Sequence, residues 1–132
     1  MIQSKNGFTL VEVMASVMIL AIALVVLIGS QIRSINSVQR VQHYERGIFI
    51  TENQLHWTFI DLNEAEDWNE YADLSGEDGD YIWNVRIEPA ETEIETDTNL
   101  TLLKIVASTV WPEGYGESSY ELTTFYLWGD EE

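Results

Sequence analysis

The sequence predicts an α+β protein in which one long N-terminal helix packs on a small antiparallel sheet. A proline-free, apolar stretch with helical periodicity comes first, and three segments with strand-like alternation or β-branched residues follow it. The chain has 132 residues, 45% of them apolar, and no cysteine. It therefore fits a single domain with a real hydrophobic core and without a disulfide framework.

The charge divides the chain into two unlike halves. Residues 1–60 hold four basic and three acidic side chains, whereas residues 61–132 hold two basic and twenty acidic ones. The formal net charge of -17 repels phosphate backbones, and no cluster of Lys or Arg offsets this repulsion. We therefore expect no nucleic-acid partner. Because the nearly neutral half also contains the long apolar run, the two halves are expected to lie in different solvents.

A membrane span is predicted near the N-terminus. Residues 8–28 form a run of 21 residues with one charge, Glu12, and about 20 apolar residues cross a bilayer as a helix. A secretory signal peptide is the competing interpretation, because Lys5 precedes the run. However, the run exceeds the roughly 7–15 residues of a signal h-region, and no A-x-A-like cleavage site follows it. We therefore expect the transmembrane half of a long helix over residues 8–29.

The helical pattern continues beyond the apolar run. No proline and a single glycine, Gly47, occur between Gln31 and Asp61. An apolar stripe at spacings of three and four predicts an amphipathic helix that ends at about residue 62 and faces the sheet. The stripe consists of Ile32, Ile35, Val38, Val41, Tyr44, Ile48, Leu55, Phe59 and Leu62, with a gap bridged by Thr51 and Glu52.

The acidic half predicts the sheet. Residues 63–80 are polar and rich in turn-forming residues, and are interpreted as a long loop. Antiparallel strands are expected at about 81–88, 100–111 and 120–128, with the last two joined as a hairpin. Together with the amphipathic helix they form a head that comprises residues 30–132.

Glu12 is a carboxylate inside the predicted span and needs an explanation. A charge at the bilayer centre costs about 2.5–3.5 kcal/mol on insertion scales, and such residues usually have a partner. One interpretation is that the side chain reaches the headgroups at the cytoplasmic end of the helix. The alternative is that it pairs with a cation supplied by another molecule.

The N-terminal segment resembles the class III signal of the type IV pilin superfamily. In that signal a short basic leader ends in glycine, and Phe-Thr-Leu-x-Glu opens an apolar helix; the matching residues here are Lys5, Gly7, Phe8, Thr9, Leu10 and Glu12. The resemblance implies that a prepilin peptidase cleaves between Gly7 and Phe8, removes the leader 1–7 and methylates the new amine of Phe8. It also implies that Glu12 pairs with the terminal amine of a neighbouring subunit and sets the register of packed helices.

Dispersed features are similar to the minor pseudopilin I family of type II secretion systems. They are Asn53-Gln54-Leu55 on the long helix, a Trp-containing strand and the terminal Leu122-Thr-Thr-Phe125. The resemblance implies a structural subunit of the inner membrane with its head in the periplasm and no cofactor. The implied partners are minor pseudopilins J, K and H and the major pseudopilin, with Asn53, Gln54 and Leu55 at a partner interface. The pronounced acidity and the segment Ala90–Asn99 depart from that family.

Other functions remain open from the sequence. A minor pilin of a type IV or competence pilus shares the same leader. A soluble exported acidic binding domain predicts cleavage beyond Ile28, whereas an anchored periplasmic hydrolase needs a substrate pocket that the sequence does not locate. His43 and His56 lie 13 residues apart and have no nucleophile at a readable spacing, so no catalytic site is predicted. Residues 73–80 offer oxygen ligands but do not match a calcium loop, so no metal site is predicted.

Overall fold

The protein consists of one long helix and a four-stranded sheet. The computed structural model describes residues 7–91 and 100–129; residues 1–6 of the predicted leader and most of Ala90–Asn99 lie outside them. The elements are helix α1 (Leu10–Glu64), a 3-10 turn (Trp68–Tyr71) and strands β1 (Asp73–Asp78), β2 (Tyr81–Pro89), β3 (Leu100–Glu113) and β4 (Gly116–Gly129). The strands lie side by side in chain order, and each pair is antiparallel. The predicted α+β arrangement of a long helix and an antiparallel sheet is confirmed.

The chain divides into two compact units, Met1–Gln39 and Arg40–Glu132. In the first unit every large apolar side chain from Phe8 to Val38 is exposed. The second unit is shorter than the head of residues 30–132 expected from the sequence, and the word head refers to this unit from here on. It contains the remainder of α1 and the whole sheet, and it holds the hydrophobic core.

The face of α1 that meets the sheet differs from the predicted stripe. Ile32, Ile35, Val38 and Val41 are 54–56% exposed, so this part of the stripe is not a buried face. The buried face starts at Gly47 and includes Thr51, which the sequence analysis placed in a gap. Its members are Gly47, Ile50, Thr51, Leu55, Thr58 and Leu62. The apolar stripe did not identify this face because small and hydroxyl-bearing residues can be buried on a helix. They are buried where the sheet approaches closely or supplies a hydrogen bond.

Strand β1 lies where the sequence analysis predicted only a loop. Asp73–Asp78 carries polar and acidic residues, which have low strand propensity. Its pairing with β2 is made possible by a two-residue turn at Gly79-Asp80, in which Gly79 has a φ of 61°. The inward-facing Gly76 leaves room for the Trp83 indole, since a Cβ at Gly76 would lie 2.5 Å from that ring. Tertiary pairing therefore outweighs local propensity in this strand.

The hairpin between β3 and β4 is tighter than predicted. The sequence analysis placed the turn over residues 112–119, but β3 extends to Glu113 and β4 starts at Gly116. Gly114 has a φ of 60°, and no non-glycine residue of the described chain has a positive φ, so Gly114-Tyr115 forms a two-residue type II′ turn. The two-residue turns between β1 and β2 and between β3 and β4 thus both have glycine at the first position.

The core of the head forms between the inner faces of α1 and the sheet. Its largest cluster joins Leu55 and Leu62 of the helix to Val85, Ile87, Leu103, Ile105 and Ala107 of the sheet. A buried hydrogen bond links the two layers: the hydroxyls of Thr51 and Thr109 are 2.7 Å apart. Because Thr51 donates its only hydroxyl proton to the Gly47 carbonyl, Thr109 is the donor to Thr51.

Candidate functional site

The N-terminal end of α1 is capped by Thr9. The Thr9 side-chain hydroxyl accepts a hydrogen bond from the Glu12 N–H at 3.3 Å, and the Thr9 carbonyl accepts from Glu12 and Val13 at 3.1 and 3.2 Å. The spacing Thr-x-x-Glu is that of a capping box. This role of Thr9 was missed in the sequence analysis, although the Thr9-x-x-Glu12 spacing could have found it.

Glu12 lies in the first turn of the helix, where the unpaired N–H groups give the helix its positive end. A carboxylate is favoured there even before any partner is considered. Its side chain is exposed, and the neighbouring Val11 and Met14 are 74% and 64% exposed. Glu12 is thus a carboxylate on an open apolar surface.

The segment before the helix is accessible. Gly7, Phe8 and Thr9 precede the helix without regular structure, and Phe8 is 82% exposed. No described atom lies within 4 Å of the position that a Cβ would take at Gly7. Packing among the described residues therefore does not require glycine at position 7. The Gly7–Phe8 peptide bond lies outside regular structure.

The N-terminal part of α1 is long and apolar enough to cross a membrane. None of the residues in its most apolar window is buried within the structure. It therefore differs from the core helix of a soluble domain, whose apolar side chains are covered by the rest of the chain.

Residues 2–28 match the family described as the prokaryotic N-terminal methylation motif. The match covers about a fifth of the chain and includes Gly7, Phe8 and Glu12. It supports a relationship to type IV pilin-like proteins, and with the apolar helix it supports a single-pass membrane-anchored protein. No curated protein and no solved structure matches the chain.

The three residues predicted at a partner interface occupy different environments. Asn53 is exposed and Gln54 is partly buried, whereas Leu55 is only 8% exposed and belongs to the core of the head. Leu55 therefore contributes to packing within this chain. Asn53 and Gln54 remain predictions, with Asn53 the more accessible of the two.

The residues considered for chemistry do not converge in the described structure. His43 and His56 are both exposed, and residues 7–91 and 100–129 contain no group of three His, Asp or Glu side chains that could hold a metal ion. The acidic residues of 73–80 are spread along β1 and its turn. Asp73 accepts a hydrogen bond from Asn84, and Asp78 forms an ion pair with Arg46 at 3.2 Å.

An aromatic cluster fills the end of the head next to Gly47. Trp111 is 1% exposed, stacks on Tyr81 at 5.6 Å and meets the edge of Tyr44 at 5.7 Å, measured between ring centroids. The Arg46 guanidinium lies over the Tyr81 ring, 5.2 Å from its centre. Burial raises the pKa of Tyr81, and the nearby Arg46 opposes that shift.

Glu113 links this cluster to the hairpin. Ser118 donates a hydrogen bond to its carboxylate at 2.7 Å, and the exposed Arg40 approaches the other oxygen at 3.0 Å. The hydrogen bond from Ser118 is the main cause of a lowered pKa at Glu113, with smaller contributions from Trp111 and Arg40. The buried Trp111 N–H meets no described acceptor at full hydrogen-bond geometry, although it lies close enough to Glu113 to contribute to the lowered pKa.

Proposed function

We propose that the chain is a structural minor pseudopilin of a type II secretion system, part of the tip complex that initiates assembly of a periplasmic pseudopilus. A single observation carries the proposal: an exposed apolar helix with Glu12 in its first turn directly follows an accessible Gly7–Phe8 junction, within a methylation motif. In this proposal the chain is anchored once in the inner membrane, with its head in the periplasm.

Processing comes first in the proposed mechanism. A prepilin peptidase cleaves between Gly7 and Phe8 and methylates the new amine of Phe8. Phe8 then directly precedes the helix cap Thr9, so the new amine lies next to the first turn. A positive charge at this end is unfavourable for the helix dipole, and a carboxylate from a neighbouring subunit offsets it.

Assembly follows from the same arrangement. An isolated carboxylate and an isolated amine are each costly in lipid, and pairing them between subunits removes much of both costs. Because the pair forms at only one axial offset of two packed helices, it fixes their register. The exposed apolar side chains of residues 10–39 supply the remaining contacts between helices.

The head supplies the contacts that distinguish one subunit from another. We propose minor pseudopilins J, K and H as its neighbours, with the major pseudopilin below, and Asn53 and Gln54 as part of the contact surface. In this proposal the head has no catalytic role and needs no cofactor.

The mass of the mature chain tests the processing step. Loss of residues 1–7 plus one methyl group is expected. Cleavage after Ile28 would instead make the chain a soluble exported domain and remove the basis of the proposal.

A deletion strain tests the choice of machine. Secreted enzymes are expected to accumulate in the periplasm while surface pili remain intact. Normal secretion with loss of pili would contradict the secretion role and identify the chain as a minor pilin of a type IV or competence pilus, which carries the same leader.

A further inference from the structure

The two edges of the sheet differ in how they are protected from other strands. Strand β1 has six residues, and three of them are carboxylates: Asp73, Glu77 and Asp78. Short, charged edge strands resist pairing with other chains. Strand β4 has 14 residues, no proline and no basic side chain, and it is the last strand of the sheet in the described chain.

The ladder that holds β4 is regular along its whole length. Its register runs from Leu100↔Gly129 to Glu113↔Gly116 without a bulge. In a regular antiparallel strand, alternate residues direct their backbone N–H and C=O groups away from the neighbouring strand. About half of the backbone polar groups of β4 therefore face outward along this edge, which can accept a further strand.

The outer face of β4 has an acidic end and an apolar end. Its six exposed side chains are Glu117, Ser119, Glu121, Thr123, Phe125 and Leu127. The end near the hairpin is acidic, whereas Phe125 and Leu127 are 59% and 52% exposed at the other end. A strand that matches this face carries basic side chains opposite the acidic end and apolar side chains opposite the other end.

We propose that the β4 edge binds a β-strand of a different protein, with Lys or Arg opposite Glu117 and Glu121 and apolar side chains opposite Phe125 and Leu127. A second copy of this chain does not meet the requirement. Strand β4 contains no Lys or Arg, so no register of β4 with itself places a cation opposite either glutamate, and each copy carries a net charge of -17. This inference does not depend on which secretion or pilus machine contains the chain.

The test uses the full chain in detergent and a synthetic peptide of about ten residues, long enough for one strand. One face of the peptide carries two leucines and then two lysines, spaced to lie opposite Leu127, Phe125, Glu121 and Glu117 when the peptide adds antiparallel to β4. Its affinity is measured by fluorescence anisotropy. Glu121→Lys is expected to weaken binding about 3- to 10-fold, because it replaces an attractive cross-strand pair with a repulsive one.

Glu77→Lys is the matched control, because it makes the same charge change on the β1 edge. It is expected to change the affinity by less than about twofold, since screening limits the effect of distant charges. Equal weakening by both variants would mean that the peptide binds through net charge alone, and would overturn the proposal.

Backbone methylation tests the hydrogen-bonded edge directly. One peptide is N-methylated at the alternate amides that would face β4. It keeps its side chains but loses the hydrogen-bond donors on that edge, so it is expected not to bind. Equal binding of the methylated and unmethylated peptides would overturn strand addition. Both measurements use purified chain, so they stand apart from the outcome of the secretion assay.

Disulfide formation distinguishes the proposed partner from a second copy. The chain has no cysteine, so Thr123→Cys introduces a single thiol on the outer face of β4. A peptide with a cysteine on its outer face is expected to crosslink to this variant faster than to Thr124→Cys, whose side chain points to the helix side. Rapid formation of homodimers by Thr123→Cys without peptide would overturn the choice of a different protein.

Discussion

The two stretches of α1 share one continuous helix but differ in how their apolar side chains are covered. From Leu10 to residue 39 every large apolar side chain is exposed, whereas after residue 46 one face is buried against the sheet. The exposed stretch is more apolar than the buried one. Hydrophobicity alone therefore does not mark the core of this protein; a sheet covers the second stretch, and lipid or neighbouring helices must cover the first.

The two stretches also differ in whether their polar side chains have hydrogen-bond partners within the chain. In the head, Thr51 is 1% exposed and its hydroxyl is fully used in hydrogen bonds within the chain. In the apolar stretch, Glu12 is exposed and its carboxylate is suited to a cation from outside. We infer that polar residues fix the packing within the head, and fix register between molecules in the apolar stretch.

Replacement of Glu12 is expected to give the largest effect. Glu12→Leu should insert into the membrane normally and leave the head folded, but lower incorporation into filaments by about tenfold or more, because the proposed intersubunit charge pair is lost. Filament-bound chain is measured after shearing and pelleting. Glu45→Leu, which removes an exposed carboxylate of the head, is the control and should assemble normally. Wild-type assembly of Glu12→Leu would refute the register role.

Truncation of a core residue should affect only the head. Leu62 is 1% exposed, and Leu62→Ala is expected to lower the free energy of unfolding by about 2–5 kcal/mol. Leu24→Ala, at an exposed position of the apolar stretch, should change it by less than about 0.5 kcal/mol. Urea unfolding followed by tryptophan fluorescence measures both, because all five tryptophans lie in the head. Equal effects of the two substitutions would contradict the division into two units.

These contrasts show where sequence reasoning succeeds. The apolar helix, the methylation motif and the hairpin strands depend on composition, local spacing and alternation, which can be read from one segment at a time. The inner face of the helix depends on what approaches it. Gly47 and Thr51 are not apolar, and they are buried because Trp111 and Thr109 lie opposite them. A helical periodicity count cannot include partners that are more than 50 residues away.

The same reasoning explains the missed strand. Asp73–Asp78 has the composition of a loop, and its strand conformation comes from pairing with β2. Leu74 faces the core, and the Trp83 indole covers Gly76. The Gly79-Asp80 pair before Tyr81 was the available hairpin signal, because glycine at the first turn position permits the type II′ turn.

Breaking the buried hydroxyl pair should give an effect that depends on both partners. Thr51→Val leaves the Thr109 hydroxyl buried without its acceptor, and is expected to cost about 1–3 kcal/mol of unfolding free energy. The double variant Thr51→Val/Thr109→Val removes both hydroxyls and should be closer to wild type than the single variant. A double-mutant cycle in urea measures the coupling. Additive losses would show that the two hydroxyls act independently.

Gly47 is expected to resist a substitution that normally favours helices. A Cβ at this position would lie 2.3 Å from the ring of Trp111, which is buried and cannot move freely. Overpacking costs about 1–3 kcal/mol, and the better helix propensity of alanine returns about 0.5–1 kcal/mol. Gly47→Ala should therefore destabilise the head by about 1–2 kcal/mol. Gly29→Ala is the control, since apart from its chain neighbours and the backbone of its own helix no described atom lies within 4 Å of its Cβ position.

The smallest expected effect is a pH dependence at Glu113. The hydrogen bond from Ser118 lowers the pKa of this carboxyl in the folded protein. A lowered folded-state pKa stabilises the protein above the ordinary glutamate pKa, and the stabilisation is lost as the pH falls through the folded-state pKa. Ser118→Ala should therefore be less stable than wild type at neutral pH, and the difference should shrink by about pH 3. Urea midpoints at both pH values measure it.

Arg40→Gln provides the comparison for that experiment. Arg40 also lowers the pKa of Glu113, but less than Ser118 does, and its side chain is 76% exposed. Solvent screening weakens such a surface ion pair, so its pH-dependent contribution should be smaller than that of Ser118 and should decrease further in high salt. A larger effect from Arg40→Gln would mean that the ion pair with Arg40, rather than the hydrogen bond from Ser118 within the hairpin, controls the ionisation of Glu113.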